Sequence, residues 1–330
     1  MIWLRGIARL VGWILGLTGL GALAIGALLA FPISPPPPLE SIRAGALAID
    51  RAGTPDLTHF LARDGTSLAY RVYPAADGDK EKIAIVIHGS GGHSTSMNGI
   101  AKRLAANNFS VIAPDIRGHG ASGTRGDIGY YGQLDDDLDD LLAELRRQYL
   151  TGHFALLGFS SGGGFALRAA VGNLSAAFQR LVLLSPYLGY DAPSTRSQEN
   201  SATWASPDIP RYMALSLLRR LDLRCCEALP VIAFAVSPGS EKYVTSRYSY
   251  RLLTNFAAPA DLNAAFHQLR VPTTIVAGGA DELLLTNKYA DVVAGVEPAI
   301  DVRIVPGLTH MDMLHAPAAI DAIAAAFNER

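Results

Sequence analysis

The chain has 330 residues, 49% of them hydrophobic and 18% charged, which is enough for one large domain with an additional segment. Its 28 basic and 30 acidic residues give a formal net charge of -2. The strongly basic field of a nucleic-acid-binding protein is therefore absent, and we expect no nucleic-acid partner. No repeat or metal-ligand cluster stands out in the sequence, so we expect neither a metal nor a cofactor.

The first 33 residues differ in composition from the rest of the chain and are predicted to form a membrane anchor. Arg5 and Arg9 precede residues 10–32, which carry no charge. A helix rises about 1.5 Å per residue, so this run spans the roughly 30 Å hydrocarbon core of a bilayer. The apolar region of a cleavable signal peptide is usually about 7–15 residues long, which favours an uncleaved single-pass anchor. By the positive-inside rule, we expect a cytoplasmic N-terminus and the rest of the chain outside the cytoplasm.

Residues 34–56 are predicted to be a proline-rich linker. Pro32 and the run 35–38 cannot continue a helix, so they end the anchor. A polyproline stretch is stiff and acts as a spacer. We therefore expect a globular domain, residues 57–330, to be held away from the membrane surface.

Residues 57–330 alternate strand-like and helix-like segments, the pattern of an α/β domain with a doubly wound sheet. An opening hairpin is predicted over residues 59–64 and 67–73. Later apolar segments are typical of strands covered on both faces: residues 83–87, 111–114, 154–157, 181–184, 273–277 and 302–305. The acidic run 135–140 is predicted to lie on the solvated face of a helix rather than to bind a metal.

The strand predicted over residues 83–87 runs into a glycine-rich turn. Residues 88–92 of this turn read His-Gly-Ser-Gly-Gly. The backbone N–H of Ser90 is therefore a candidate donor to an oxyanion that develops during acyl transfer. An ordinary glycine turn is the alternative interpretation of this segment alone.

Residues 158–162 read Gly-Phe-Ser-Ser-Gly and follow the strand predicted over 154–157. Small residues that can begin a helix come next. Strand, tight turn and helix form the context of a G-x-S-x-G nucleophile elbow, in which the serine occupies a strained turn with its hydroxyl exposed. We therefore predict Ser160 as a nucleophile and the N–H of Ser161 as a second oxyanion donor, with a plain Gly/Ser turn as the alternative.

Asp281 and His310 each follow a predicted strand, where loops gather at the carboxyl edge of a parallel sheet. The chain order Ser160, Asp281, His310 is that of the α/β-hydrolases. His310 is the expected general base, and Asp281 is expected to hold its tautomer and stabilise the imidazolium. Glu282 and His315 are close enough in sequence to compete for these roles, but the strand-end positions favour Asp281 and His310.

These motifs together resemble the lysophospholipase and monoacylglycerol-lipase branch of the serine α/β-hydrolases. Residues 88–94 are similar to its H-G-x-G-[EG]-H-S oxyanion motif, and residues 115–122 to its D-x-R-G-H-G-x-S loop. The resemblance covers roughly residues 57–330. It implies a mostly parallel eight-stranded sheet, an ester-hydrolysing triad and a cap between strands six and seven. The cap insertion, about residues 187–263, resembles no particular cap, so substrate choice is not implied.

We therefore expect hydrolysis of a carboxylic ester through an acyl-enzyme on Ser160. The expected substrate is a lipid such as a monoacylglycerol or lysophospholipid, or a smaller ester. An acyltransferase with the same triad and a non-enzymatic membrane-anchored binding protein are alternatives. An aminopeptidase is another, and it needs an amine-recognising carboxylate, for which Glu199, Asp208 and Glu227 are the candidates. The oligomeric state is not indicated.

The cap is expected to be helical. Its apolar residues are predicted either to line an acyl pocket or to pack the cap on the core: Pro210, Tyr212, Met213, Leu215, Leu217, Leu218 and Leu221. The adjacent Cys225 and Cys226 cannot form an ordinary loop disulfide. They are interpreted as two small buried side chains, with a redox role as the alternative.

Overall fold

The computed structural model describes residues 2–78, 80–149, 153–196, 203–237, 239–240 and 244–328, without the side chains of residues 2, 4–6, 8 and 9. The strands are β1 Thr58–Leu61, β2 Ser67–Tyr73, β3 Lys82–Ile87, β4 Ser110–Pro114, β5 His153–Phe159, β6 Phe178–Leu184, β7 Ala205–Pro207, β8 Pro230–Phe234, β9 Arg247–Ser249, β10 Thr273–Gly278 and β11 Asp301–Val305. The α-helices are α1 Ile2–Ala30, α2 Glu40–Ala48, α3 Asn98–Ala106, α4 Gln133–Gln148, α5 Ser161–Val171, α6 Ile209–Arg220, α7 Tyr250–Asn255, α8 Leu262–Gln268, α9 Tyr289–Val292 and α10 Pro317–Asn328.

Eight of these strands form one sheet in the order β1-β2-β4-β3-β5-β6-β10-β11. The pairs β1–β2 and β2–β4 are antiparallel, and the remaining pairs are parallel. This is the α/β-hydrolase fold, so the predicted fold class is confirmed. The first strand ends at Leu61, before the predicted residue 64, because a turn with a positive φ at Gly65 already leads into β2.

The central strands β3, β4, β5 and β10 are buried along almost their whole length. Helices cover both faces of the sheet. On one face, α4 and α5 pack their apolar residues, such as Leu138 and Phe165, against the strands. On the other face α3 and α10 do the same, with Leu104 and Ile323. Burial on both faces explains the continuous apolar runs in the sequence.

The cap lies between β6 and β10, the sixth and seventh strands of the main sheet. It contains α6 and also a three-stranded antiparallel sheet in the order β7-β8-β9, which the sequence patterns did not indicate. These strands have three to five residues, too few for a periodic pattern to distinguish strand from helix. Cys225 and Cys226 follow α6 and are both exposed, so the interpretation as buried side chains is wrong.

Helix α1 contains one segment, Leu10–Ala30, that is long and apolar enough to cross a membrane, and its residues are exposed apart from the partly buried Ile25 and Leu29. A signal sequence has the same properties. Near its end, Ile25 and Leu29 pack against a cap cluster that includes Leu215 and Tyr250. The end of α1 and the cap are therefore in direct contact.

The structure differs from the predicted 34–56 linker in having helix α2 within it. Ile42 and Ile49 of this segment are buried. Gly45 lies so close to Met311 that a Cβ at this position would overlap its side chain. Apolar residues spaced like Ile42, Ala46 and Ile49 form one face of a helix. The segment after the prolines therefore belongs to the globular body instead of acting as a spacer.

Gly45→Ala is expected to displace α2, because the added methyl group overlaps the Met311 side chain. Overpacking of this kind costs about 1–3 kcal/mol, which should lower the unfolding midpoint and speed amide exchange over residues 40–48. Leu47→Ala, at an exposed position of the same helix, is the control and should leave both quantities close to wild type. Wild-type protection of α2 in Gly45→Ala would contradict this packing.

Candidate active site

Ser160 lies at the turn between β5 and α5, with φ 53° and ψ -121°. A positive φ is unfavourable for a residue other than glycine, so the surrounding backbone must hold this conformation. The turn is tight: a Cβ on Gly158 would overlap the carbonyl of Gly162, and a Cβ on Gly162 would overlap the carbonyl of His88. Both outer glycines of the pentapeptide are thus required by close backbone approach.

Asp281 and His310 are in direct contact. The Nδ1 atom of His310 lies 2.7 Å from Oδ2 of Asp281, and both side chains are buried. The other oxygen of Asp281 accepts the backbone N–H groups of Leu283 and Leu284, both at 2.9 Å. Burial raises the pKa of Asp281, but the charge and hydrogen bond of His310 and the two N–H donors outweigh it and hold the pKa below its usual range. An ionised carboxylate favours the proton on Nδ1 and leaves Nε2 as an acceptor.

Ser160 and His310 line the same cavity, and the ring of Phe159 lies against that of His310 with 4.8 Å between centroids. Among the described residues, no hydrogen bond joins Ser160 to His310. The three predicted residues therefore lie at one site. The hydrogen bond between Asp281 and His310 is formed, and that between Ser160 and His310 is not.

The neighbouring candidates have other partners. Glu282 accepts the backbone N–H of His310 at 2.9 Å through Oε2, so it braces the loop rather than the imidazole. His315 lies against Asp312, at 3.4 Å. The contact with the His310 ring distinguishes Asp281 from Glu282.

Ser90 lies in the turn after β3, and Ser161 directly follows Ser160 in the chain. Ser90 is in a turn closed by a hydrogen bond from Gly92 N–H to the carbonyl of Gly89, and it lines the cavity. Ser161 is the first residue of α5, whose N-terminus carries a partial positive charge. Neither N–H has a hydrogen-bond acceptor in the described part of the chain.

The cavity at Ser160 has a volume of about 120 Å³. Its walls are mostly apolar, and one of them is formed by the segment that was predicted to be a linker. None of the α6 residues predicted for an acyl pocket lines it; Leu215 and Leu218 pack within the cap instead. The helical spacing of α2 was the signal that could have revealed this wall. The apolar lining residues are Ile42, Ala46, Ile49, Phe159, Trp204, Val244, Leu283, Met311 and Leu314.

The D-x-R-G-H-G-x-S loop, residues 115–122, is hydrogen-bonded to the glycine-rich segment that carries Ser90. Asp115 accepts the N–H groups of Ser94 at 2.7 Å and Ala121 at 2.9 Å. Arg117 is buried between Asp64 and Asp137. Arg63 and Arg168 pair with other carboxylates of the acidic run 135–140. Asp137 within this run is buried, not on the solvated face as predicted.

Two buried histidines connect these loops. His88 Nε2 accepts the N–H of Ile116 at 3.2 Å, and His88 Nδ1 lies 2.8 Å from the carbonyl of Gly89. His119 lies beside it, with 4.8 Å between ring centroids. Burial lowers the pKa of His88 to about 4 and that of His119 well below its usual value. Both rings are therefore neutral structural elements.

A protein-family model described as serine aminopeptidase, S33, matches residues 78–315. The chain belongs to this family. Human monoglyceride lipase is 31% identical over 132 residues, which cover 40% of this chain and 43% of that enzyme. The chain spans less than half the length of its curated relatives: an uncharacterised protein of Mycobacterium tuberculosis, 37% identical over 102 residues, is covered over 28% of its length.

Solved structures share the fold of this S33 family member. A membrane phospholipase A described as a bacterial virulence factor aligns over 98% of both chains, with a TM-score of 0.58 and 17% identity. A soluble variant of monoglyceride lipase from Saccharomyces cerevisiae aligns over 84% of this chain and 96% of that chain, with a TM-score of 0.61 and 16% identity.

Acidification should destabilise this S33 protein through its buried histidines. Because the pKa values of His88 and His119 are lower when folded, only the unfolded chain takes up their protons as the pH falls below 6.5, in the case of His88 down to its folded pKa of about 4. The free energy of unfolding should fall in this window by roughly 1 kcal/mol per pH unit for each group.

Unfolding midpoints between pH 7.5 and 4.5 measure this effect. His119→Gln should reduce the pH dependence, because the amide oxygen accepts a hydrogen bond without titrating. His267→Gln removes an exposed histidine of α8 and should keep the wild-type dependence. An identical pH dependence in wild type and His119→Gln would rule out a buried neutral His119 as its source.

Proposed function

We propose that this protein is a membrane-anchored serine hydrolase that cleaves a lipid-type carboxylic ester through an acyl-enzyme on Ser160. The observation that carries this function is the buried hydrogen bond of 2.7 Å between His310 Nδ1 and Asp281 Oδ2, beside a serine held in a strained turn in the same cavity. A nucleophile, a base and a group that orients the base are the parts that acyl transfer needs.

In this mechanism, Ser160 Oγ attacks the ester carbonyl carbon while its proton passes to Nε2 of His310. The carbonyl oxygen becomes an oxyanion that accepts hydrogen bonds from the N–H groups of Ser90 and Ser161. Collapse of this intermediate breaks the bond to the alcohol, which leaves with the proton from His310. Water then attacks the acyl-Ser160 ester by the same route, and Asp281 stabilises the imidazolium in both halves.

The walls of the cavity support a lipid substrate. Side chains from α2, the cap and the loop after His310 are mostly apolar. Its volume of about 120 Å³ is below the 300–1,000 Å³ typical of pockets that enclose a whole ligand. The ester and the adjoining part of an acyl chain fit this space, with the rest of the molecule outside. Similarity to monoglyceride lipases and a membrane phospholipase A supports a monoacylglycerol or lysophospholipid.

Helix α1 acts in this function as an uncleaved anchor. Arg5 and Arg9 on one side of its apolar run favour a cytoplasmic N-terminus, which puts the hydrolase domain outside the cytoplasm. From there the site has access to lipids of the outer leaflet. The contact of Ile25 and Leu29 with the cap supports an uncleaved helix, because cleavage would expose the apolar cap surface that they cover.

The exposed face of α6 supports contact with the same membrane. Ile209, Met213, Leu217 and Leu221 recur every four residues, and each is between 47% and 61% exposed. Residues four apart share one face of a helix. Because α6 also packs against the end of α1, this apolar face lies where the anchor meets the globular body and rests on the lipid surface.

The family is described as serine aminopeptidase, but the positions of the candidate amine-binding carboxylates support this activity less well than ester hydrolysis. Asp208 pairs with Arg211 at the start of α6, and Glu227 pairs with Arg219 at 2.8 Å. Neither carboxylate lines the cavity, and Glu199 lies outside the described residues. Acyl transfer uses the same triad, and added alcohol would distinguish it by yielding a new ester.

Ser160→Ala should reduce ester turnover until the rate is only on the order of 10³–10⁴ times that of the uncatalysed reaction. Asp281→Asn should lower kcat on the order of 10⁴-fold, because it favours the wrong His310 tautomer. Glu282→Gln is the matched control: its amide oxygen still accepts the N–H of His310, so the loss should be much smaller. Hydrolysis of p-nitrophenyl esters measures all three. A larger loss of kcat in Glu282→Gln than in Asp281→Asn would identify Glu282, not Asp281, as the acid of the triad.

Fusion of reporters after Arg330 tests the topology. Alkaline phosphatase at this position should be active and green fluorescent protein dark, because the C-terminus is expected outside the cytoplasm. Carbonate washing should leave the protein in the membrane fraction. Cytoplasmic fluorescence without phosphatase activity would show the opposite orientation. Release of the protein by carbonate would contradict the membrane anchor.

A further inference from the structure

The turn that carries Ser90 is held by three hydrogen bonds from the cap. The indole N–H of Trp204 donates to Ser90 Oγ at 2.9 Å. The backbone N–H of Gly91 donates to the hydroxyl of Tyr248 at 2.8 Å. The backbone N–H of Thr245 donates to the carbonyl of Gly91 at 3.0 Å. The N–H and the carbonyl of Gly91 and the side chain of Ser90 are thus all hydrogen-bonded to the cap.

Tyr248 connects this turn to the loop behind it. Its hydroxyl lies 2.6 Å from Nε2 of His119. Because the oxygen accepts the N–H of Gly91, its single hydrogen is available to His119 Nε2. Nδ1 of His119 then donates toward the carbonyls of Ile116 and Arg117, at 3.2 and 3.3 Å. A directed chain of hydrogen bonds therefore runs from the oxyanion turn through the cap to the D-x-R-G-H-G-x-S loop.

This series of hydrogen bonds is buried in the protein. Tyr248 and His119 are only 2% and 1% exposed, so water cannot replace a lost bond. The ring of Tyr248 packs edge-on against Phe234, with 4.7 Å between centroids, which prevents it from swinging away. The cap also lies directly on the turn: Gly91 has φ +71°, and a Cβ there would be 3.0 Å from the carbonyl oxygen of Thr245.

We propose that Tyr248, assisted by Trp204, is a positioning residue that fixes the Ser90 N–H toward the reacting carbonyl, so that the oxyanion hole is complete only when the cap is seated. This inference rests on the proposed hydrolase function. An oxyanion donor acts when it lies 2.7–3.1 Å from the oxyanion, so a small rotation of the turn removes its effect. Displacement of the cap breaks all three bonds at once. The cavity is then open, but the Ser90 N–H is no longer held in place and the enzyme is inactive.

Tyr248→Phe removes only the hydroxyl and tests the proposal. Removal of one oxyanion donor costs about 10²–10³ in kcat, and a misoriented donor should cost somewhat less, about 10–100-fold. KM should change little, because the bond acts on the transition state rather than on substrate binding. Affinity for a boronic acid that mimics the tetrahedral intermediate should fall by the same factor as kcat.

Tyr250→Phe is the matched control, because this hydroxyl lies 3.1 Å from Ser216 within the cap and is not bonded to the turn. Its kcat and boronate affinity should stay within about 2-fold of wild type. Both enzymes are titrated with a fluorophosphonate, so that kcat refers to active sites. A purely structural role of Tyr248 would lower the number of titrated sites but not kcat per site or boronate affinity.

Equal kcat per site and equal boronate affinity in the two variants would overturn the proposal. If Tyr248→Phe does not fold, Trp204→Phe carries the test, since it keeps an aromatic ring against Phe234 and removes the donor to Ser90 together with part of the cavity wall. A loss of boronate affinity that is matched by a loss of kcat supports the proposal, and a change confined to KM overturns it, because an altered wall affects ground-state binding. Wild-type protein that does not titrate at Ser160 would contradict the proposed function itself, and the inference with it.

Discussion

The backbone of Ser160 is the constraint on which the rest of the site depends. Its positive φ is held by neighbouring backbone: its N–H donates to the carbonyl of Leu184 at the end of β6, and its carbonyl accepts the N–H groups of Gly163 and Tyr187. The same turn also requires that residues 158 and 162 lack a Cβ, which would overlap the carbonyls of Gly162 and His88. A turn fixed in this way presents the hydroxyl at a set position, and the other groups of the site are arranged around it.

The groups around Ser160 come from separate parts of the fold. The ends of β10 and β11 bring Asp281 and His310 together, and the end of β3 brings Ser90, so the parallel sheet itself aligns three loops at one edge. Helix α2 and the cap then cover this edge and supply part of the apolar walls. Because the end of α1 contacts the cap, the apolar helix α1, the cap and the turn that carries Ser90 form one connected path of contacts.

Features with strong local determinants could be predicted from the sequence. The buried strands, the elbow at Ser160 and the strand-end positions of Asp281 and His310 follow from apolar runs and glycine spacing, and the structure brings these residues together. Helix α2 was missed because the adjacent proline run dominated the interpretation, although the spacing of Ile42, Ala46 and Ile49 is helical. The short cap strands and the Tyr248 hydrogen bonds depend on tertiary contacts between distant segments, which no local pattern reveals.

The most direct test of the account is to locate the reactive residue chemically. The full-length protein is treated with a fluorophosphonate, digested, and mapped by mass spectrometry. One phosphonyl adduct is expected, on Ser160, and prior incubation with a non-hydrolysable monoacylglycerol analogue should slow its formation. An adduct on Ser161 or another residue, or no adduct in a folded sample, would contradict the account.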